Sequence, residues 1–228
     1  TGAAVSLAFY CLSPVMISNS SLATTDIMTA LWFALALNRW WVLLHRISIP
    51  NIITCGVATG LLFVTKISSV VLVPMVVCLI VARMASRRPV SVILRGFPAR
   101  AIVRIGEQVR WLSGTLIASA LIGIAVMWLC YLPQLTIFAS DGSPLVAWES
   151  LTSKSHGILS TVANLLGRWH VLPLPYLQDL HLFDATTALR RGYLLGEYSR
   201  RGWVFFFPAA WWFKTPIPFI LALALAAG

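Results

Sequence analysis

The sequence predicts an all-α polytopic membrane protein, and three observations lead to that fold class. Hydrophobic residues make up 59% of the 228 residues, and the mean hydropathy is +0.85. Charged residues make up only 11%, whereas a soluble domain carries about a quarter. Several apolar stretches approach the roughly 20 residues that a helix needs to cross a bilayer. Most of the chain is therefore expected to lie in lipid.

The arginines indicate which side of the membrane the connections face. Seven arginines and one acid lie between Arg83 and Arg110, and Arg39 and Arg46 precede them. Under the positive-inside rule this segment is cytoplasmic. A nucleic-acid site would interleave aromatic residues with the basic ones, and this segment has little beyond Phe97. The net charge of +10 therefore indicates orientation, and no nucleic-acid partner is expected.

The apolar stretches become spans once this cytoplasmic segment, 83–110, is fixed. The predicted spans cover residues 2–17, 22–44, 52–84 (as two short spans) and 112–132. The turn between the two short spans falls at Lys66, on the outer face. Residues 1–132 thus hold about five spans. Residues 133–202 form a long extracytoplasmic loop, and 203–228 an aromatic interfacial segment that starts a further span.

Three charged residues from separate segments are predicted to meet at the outer membrane face. Asp26 lies 20 residues before Arg46, and Lys66 lies 20 residues after it. Because 20 helical residues rise about 30 Å, both residues reach the outer edge of the hydrocarbon. Lys214 lies where the last segment descends from the loop. Two lysines and an acid at one depth favour a site for an anion, and a phosphate is the natural candidate.

Each of the three also has a structural explanation. Asp26 follows "SNSSLATT", which is typical of a helix start, where an acid complements the helix dipole. Lys66 could be a loop lysine that reaches the interface, and Lys214 could extend to the headgroups from a helix end. The residues alone leave these alternatives open.

No cofactor is expected from the sequence. The four cysteines, at positions 11, 55, 78 and 130, fall in apolar stretches at unrelated spacings, as small buried hydrophobic residues do. His156, His170 and His181 share the predicted loop without metal-ligand spacing, and hydrogen bonding in the loop explains them. A divalent metal beside a phosphate is chemically reasonable, but no ligand set supports one.

Four motifs stand out along the chain: "SPVMISNSSLATTD", "GVATGLLFVTK", "PLPYL" and "GYLLGEYSRRGWVFFFPAAWWFKTPIP". In order and spacing they resemble bacterial GT-C membrane glycosyltransferases, in particular the protein O-mannosyltransferase and aminoarabinose-transferase groups. The resemblance implies a GT-C-like helix bundle with a long extracytoplasmic loop, in the bacterial plasma membrane. It also implies an inverting transfer of a sugar from a polyprenyl-phosphate donor to a protein, lipid or glycan acceptor on the extracytoplasmic face.

The resemblance assigns roles to particular residues. Asp26 matches the second of two important acids in that family. For the donor phosphate we expect Lys66 and Lys214, with Arg200 and Arg201 as helpers, although these arginines also fit an ordinary interfacial position. The residues expected to line the sugar site are Glu197, Tyr198 and Trp203. The tryptophans here are first of all interface residues.

The chain departs from the family pattern in two ways. The family's first acid, usually the general base, lies in a loop that would precede Thr1. Both chain ends fall within apolar stretches, so we expect a fragment, inactive alone. Where the family often has a His or Arg before the Asp, this chain has Asn19, Ser20 and Ser21.

Two other classes of protein fit the composition. A transporter or flippase of lipid-linked or anionic substrates would also hold charges in the membrane, but nearer mid-depth and between broken helices. A non-catalytic assembly protein would need neither Asp26 nor the lysines.

Overall fold

The computed structural model describes residues 2–20, 25–86, 88–93, 100–140, 158–187, 192–199 and 202–227, most of them helical. The helices are α1 (Gly2–Cys11), α2 (Pro14–Ser20), α3 (Asp26–His45), α4 (Ile49–Thr65), a 3-10 helix (Ile67–Val71), α5 (Leu72–Ala85), α6 (Ile105–Ser140), α7 (Ile158–Arg168), α8 (Leu174–Thr187), α9 (Phe206–Lys214) and α10 (Ile217–Ala227). The strands are β1 (Arg46–Ile47), β2 (Val90–Val92), β3 (Arg100–Ile102), β4 (Gly192–Leu194) and β5 (Glu197–Ser199).

Within the described residues, three helical segments are long and apolar enough to cross a membrane: Asp26–His45, Ile67–Ala85 and Ile105–Pro133. The number rises to five if the pairs α1–α2, bent by 56°, and α9–α10, bent by 107°, each form one span. Large apolar side chains such as Val81, Leu121 and Leu129 are 62% to 67% exposed on these helices, as expected of surfaces that face lipid. The architecture fits a mainly helical membrane protein, as the composition predicts.

The structure differs from the predicted segments in two ways. Helix α6 begins at Ile105 instead of 112 and continues through Pro133 to Ser140, and the predicted loop also contains α7, α8 and the β4–β5 hairpin. Five short strands also interrupt the helices that an all-α prediction expects. The early start of α6 has a physical reason, because buried Gln108 in its first turn donates to the Ile102 carbonyl at 2.8 Å.

The described chain divides into two units. One contains Thr1–Ile27 with Thr186–Gly228, and there the Phe9 and Phe219 rings meet edge to face with centroids 5.7 Å apart. The other contains Met28–Ala185, with helices α3 to α8 and a three-stranded sheet.

The larger unit has a helical core where α3, α4 and α5 meet. Trp40, Leu62 and Leu72 are buried in it, one from each helix. The Trp40 indole nitrogen donates to the Thr59 hydroxyl at 3.1 Å, which joins α3 to α4. This pairing gives the tryptophan a buried partner, which such residues need.

Helices α4 and α6 cross at very short range through glycines. A Cβ at Gly60 would lie 2.7 Å from the carbonyl oxygen of Gly123, and one at Gly56 would lie 2.7 Å from that of Ser119. The Ser119 hydroxyl also donates to the Ile52 carbonyl at 3.4 Å. Small residues permit such backbone approach between membrane helices. Part of the "GVATG" stretch is therefore explained by helix packing.

A small sheet closes the arginine-rich end of this unit. Strand β1 pairs parallel to β2, and β2 pairs antiparallel to β3. The side chains of Ile47, Val90 and Ile102 are buried together with Leu112 from α6. These short strands thus pack their apolar side chains against the ends of the helices.

Candidate functional site

Asp26 is the first residue of α3 and is exposed. An acid in the first turn is favoured by the partial positive charge of a helix N-terminus. Helix α3 has 20 residues and ends next to β1. Asp26 therefore lies about 30 Å along the helix from the sheet, which is about one hydrocarbon thickness.

Lys66 separates α4 from the 3-10 helix, and this confirms the predicted break. Its backbone is extended, with φ −161° and ψ 135°, and its carbonyl accepts from the Ser69 amide at 3.0 Å. Because α4 has 17 residues and begins just after β1, Lys66 lies about 25 Å along that helix from the sheet. The lysine is exposed at this helix end.

Helices α7 and α8 pack against the segment that follows Lys66. Ile67 and Val70 of the 3-10 helix contact the cluster formed by Ala163, Leu177 and Leu180. On α6, the Trp128 indole nitrogen donates to the Val171 carbonyl at 3.0 Å. Sequence reasoning treated this region as loop, so it missed a helical pair that packs beside the Lys66 break. The amphipathic pattern of α7 is the sequence signal that could have indicated it, with Ser160 and Ala163 on the buried face.

The "PLPYL" motif forms the start of α8 and is buried. Pro173 and Leu177 are fully buried, and the ring of Tyr176 meets that of Tyr131 edge to face at 6.3 Å. Burial is the main reason that the pKa of the Tyr176 phenol is raised, with smaller effects from Tyr131 and Asp179. In the described chain this motif therefore anchors α8.

His181 is buried on α8, with 1% of its surface exposed. Burial lowers the pKa of its imidazole, and the charge of Asp184 opposes this in part. From its sequence position, His181 was expected only to form a hydrogen bond within the predicted loop.

Lys214 is the exposed last residue of α9, at a sharp elbow. Thr215 is extended, its amide donates to the Trp211 carbonyl at 2.9 Å, and α10 starts at Ile217 after a bend of 107°. Pro216 precedes α10 and Pro218 lies in its first turn, where the missing amide donors cost little. Both prolines are therefore compatible with the start of α10.

The aromatic side chains of α9 are exposed. If α10 crosses the bilayer, a bend of this size leaves α9 close to the membrane plane. Phe207, Trp212 and Phe213 are 60% to 80% exposed, and the interface is where amphipathic aromatic residues concentrate. Lys214 then lies at the junction between an interfacial helix and an apolar one.

Glu197 and Tyr198 lie on β5 of the hairpin that precedes α9, and both are exposed. The Tyr198 ring packs against that of Tyr193 on β4 with centroids 4.8 Å apart. Leu195 and Gly196 form the turn between β4 and β5, and both have positive φ. Trp203 follows the hairpin, and its Cδ1 lies 3.5 Å from where a Cβ on Gly192 would be. The hairpin therefore presents an aromatic surface.

The structure brings some of the predicted site residues into one unit. Glu197, Tyr198, Trp203 and Lys214 belong to the smaller unit, and Asp26 is grouped with them. Lys66 belongs to the larger unit, so the convergence of all the charges on one site stays a prediction. Arg200 and Arg201 lie outside the described residues.

The described part of the chain contains no group of three or more His, Cys, Asp or Glu residues arranged to hold a metal ion. No family model, curated protein or solved structure matches this chain. The functional assignment therefore rests on the residues themselves and on the motifs that they form.

Proposed function

We propose that this protein is a membrane glycosyltransferase. It transfers a sugar from a polyprenyl-phosphate donor to a protein, lipid or glycan acceptor on the extracytoplasmic face. The observation that carries the proposal is the elbow at Lys214, between an aromatic helix and an apolar helix bent by 107°. A polyprenyl phosphate has the same two parts, an apolar tail in the membrane and an anionic group at its surface.

The chemistry is a direct displacement with inversion. An oxygen of the acceptor attacks the anomeric carbon and loses its proton to a carboxylate, while the bond from that carbon to the phosphate oxygen breaks. The lipid phosphate leaves with the electron pair. Lys66 and Lys214, with Arg200 and Arg201, stabilise the charge on the leaving phosphate. In the family that the motifs resemble, the proton goes to the first of two acids. Asp26 corresponds to the second acid, which we assign to the same site.

The sugar site in this proposal is the surface formed by Glu197, Tyr198 and Trp203. A carboxylate can accept hydrogen bonds from sugar hydroxyls, and exposed aromatic rings offer apolar faces for a pyranose ring. The closeness of Trp203 to Gly192 supports this role, because Gly192 pairs with Ser199 at the base of the hairpin.

The test is transfer by the intact protein in vesicles, from synthetic polyprenyl-phosphate sugars, measured as acceptor-bound radiolabel. Lys214→Ala should lower the turnover about a hundredfold, as removal of one transition-state donor does in other enzymes. Lys214→Arg should recover part of it, because the charge stays but its shape changes. Arg104→Ala also removes an exposed positive charge, from the arginine-rich segment, and as the control it should keep full turnover. Equal turnover in the two alanine variants, at normal expression, would contradict the assignment of Lys214.

A transporter or flippase is the second candidate. The bent helix pairs α1–α2 and α9–α10 favour it, because transporters often bind substrates at discontinuous helices. The same vesicles distinguish the two functions. A flippase moves the labelled lipid between leaflets with its sugar still attached, whereas a transferase releases polyprenyl phosphate. Movement of intact donor with no release would support the transporter.

A further inference from the structure

An open apolar groove lies between α3 and α5, in the larger unit. Its lining residues are Leu37, Trp41, Pro74, Met75, Cys78 and Leu79, and its volume is about 510 Å³. This volume lies in the range of sites that hold small molecules. On α5 the lining begins in the first turn, at Pro74, and extends to Leu79 near the middle of the helix, one turn before Arg83.

Both walls of the groove lead into basic residues. His45 lies one turn beyond Trp41 on α3, and the two rings pack with centroids 4.4 Å apart. Arg83 likewise lies one turn beyond Leu79 on α5. Residues four apart share one face of a helix, so each apolar wall continues into a group that carries or can carry positive charge.

Arg83 also holds the basic end of the groove together. It is 4% exposed, and its Nε donates to the Leu44 carbonyl at 3.2 Å while Nη2 donates to the Arg88 carbonyl at 2.9 Å. The guanidinium therefore fixes the end of α3 beside the segment that carries Arg88. Arg46, which follows α3, and Arg88 are both exposed there.

We propose that this groove binds one anionic phospholipid. An acyl chain lies between α3 and α5, and the phosphate is bound by Arg46 and Arg88. An apolar helix in the groove would leave the two arginines without a counter-charge, whereas an anionic lipid matches both the apolar walls and the basic end. Each basic residue beside an anionic lipid headgroup strengthens the binding of that lipid about fivefold. The proposal is independent of the transferase function.

The test is native mass spectrometry of the intact protein titrated with phosphatidylglycerol or phosphatidylcholine. We expect phosphatidylglycerol to bind at least about tenfold more tightly than phosphatidylcholine. Arg46→Ala with Arg88→Ala should weaken that binding about thirtyfold, from about fivefold for each arginine. The matched control is Arg104→Ala with Arg110→Ala, two other exposed arginines, and should change it less than about twofold. Equal affinity for the two lipids, or equal weakening in both double variants, would overturn the proposal.

A second pair of variants tests the groove itself. Cys78→Trp fills it and should abolish the retained lipid, while Leu121→Trp, on an exposed face of α6, should leave it bound. A photoactivatable residue in place of Met75 gives a readout that does not depend on how well Cys78→Trp folds. It should yield a phospholipid adduct on illumination. A protein adduct would show that a helix occupies the groove, and the proposal would then be wrong.

Discussion

The crossing of α4 and α6 predicts that Gly60→Ala destabilises the protein. The added Cβ would lie 2.7 Å from the Gly123 carbonyl oxygen, and ordinary contact begins at 3.4 Å. The shortfall is 3.4 − 2.7 = 0.7 Å. Because the nearest atom belongs to a helix backbone, the two helices must separate. Overpacking of this kind costs about 1 to 3 kcal/mol.

Three glycines make a graded series with an internal control. Each Gly→Ala exchange gains the same helix propensity, about 1 kcal/mol, so differences between them report packing alone. A Cβ at Gly114 on α6 would meet nothing within 4 Å, and one at Gly123 would lie 3.3 Å from the Gly56 carbonyl oxygen. The unfolding free energy should therefore be highest for Gly114→Ala, intermediate for Gly123→Ala and lowest for Gly60→Ala.

The assay is titration of the purified protein with sodium dodecyl sulfate, with unfolding monitored by tryptophan fluorescence. Gly60→Ala should unfold with about 1 to 3 kcal/mol less free energy than Gly114→Ala. Lys66 ends the helix that carries Gly60, so turnover should also fall in Gly60→Ala if Lys66 binds the donor phosphate. Equal stability of the Gly60 and Gly114 variants would show that the close crossing does not exist, and the reasoning would fail.

Two further predictions concern buried polar groups. Arg83→Met should lower the unfolding free energy by about 3 kcal/mol in the same titration, because it leaves the carbonyls of Leu44 and Arg88 without their donor. Arg83→Lys should not restore the stability, since an ammonium cannot reproduce the planar set of donors of a guanidinium. Full stability of Arg83→Lys would contradict this explanation. His181 has a lowered pKa in the folded protein, so the unfolded chain binds its proton first and stability should fall as pH drops through about 6.5, the unfolded value. Hydrogen exchange of α7 and α8 measured from pH 7.5 to 5.5 should show this loss, and an unchanged pH dependence in His181→Gln would refute it.

Composition and charge predict the helices of this protein well, because a bilayer demands long apolar segments and sets their length. The break at Lys66 follows from segment length, since the 33 residues 52–84 exceed one span and Lys66 is the only charged residue near their middle. The proline positions at the α9–α10 elbow follow from their missing amide hydrogens. Each of these features depends on the covalent chemistry of single residues or on the length of one segment.

The remaining features depend on contacts between distant segments. The sheet β1–β2–β3 joins residues up to 56 positions apart, from Arg46 to Ile102, and strands of two or three residues leave no alternating pattern. Helices α7 and α8 bury small residues and the "PLPYL" motif, which composition cannot distinguish from a polar loop. The groove between α3 and α5 is likewise a property of two helices together.

The arginines near the small sheet have two separate roles in this chain. From the sequence alone, Arg39, Arg46 and the arginines between 83 and 110 are interpreted as one orientation signal. Arg83, however, is buried and donates to carbonyls of two segments, while Arg46 and Arg88 are exposed beside it. The Arg83 guanidinium is buried and donates to protein oxygens, so the exposed pair Arg46 and Arg88 is left to bind an anion. The positive-inside rule therefore does not by itself explain this cluster, and removal of Arg83 should disturb both the fold and the lipid site, whereas removal of Arg46 and Arg88 should disturb the lipid site alone.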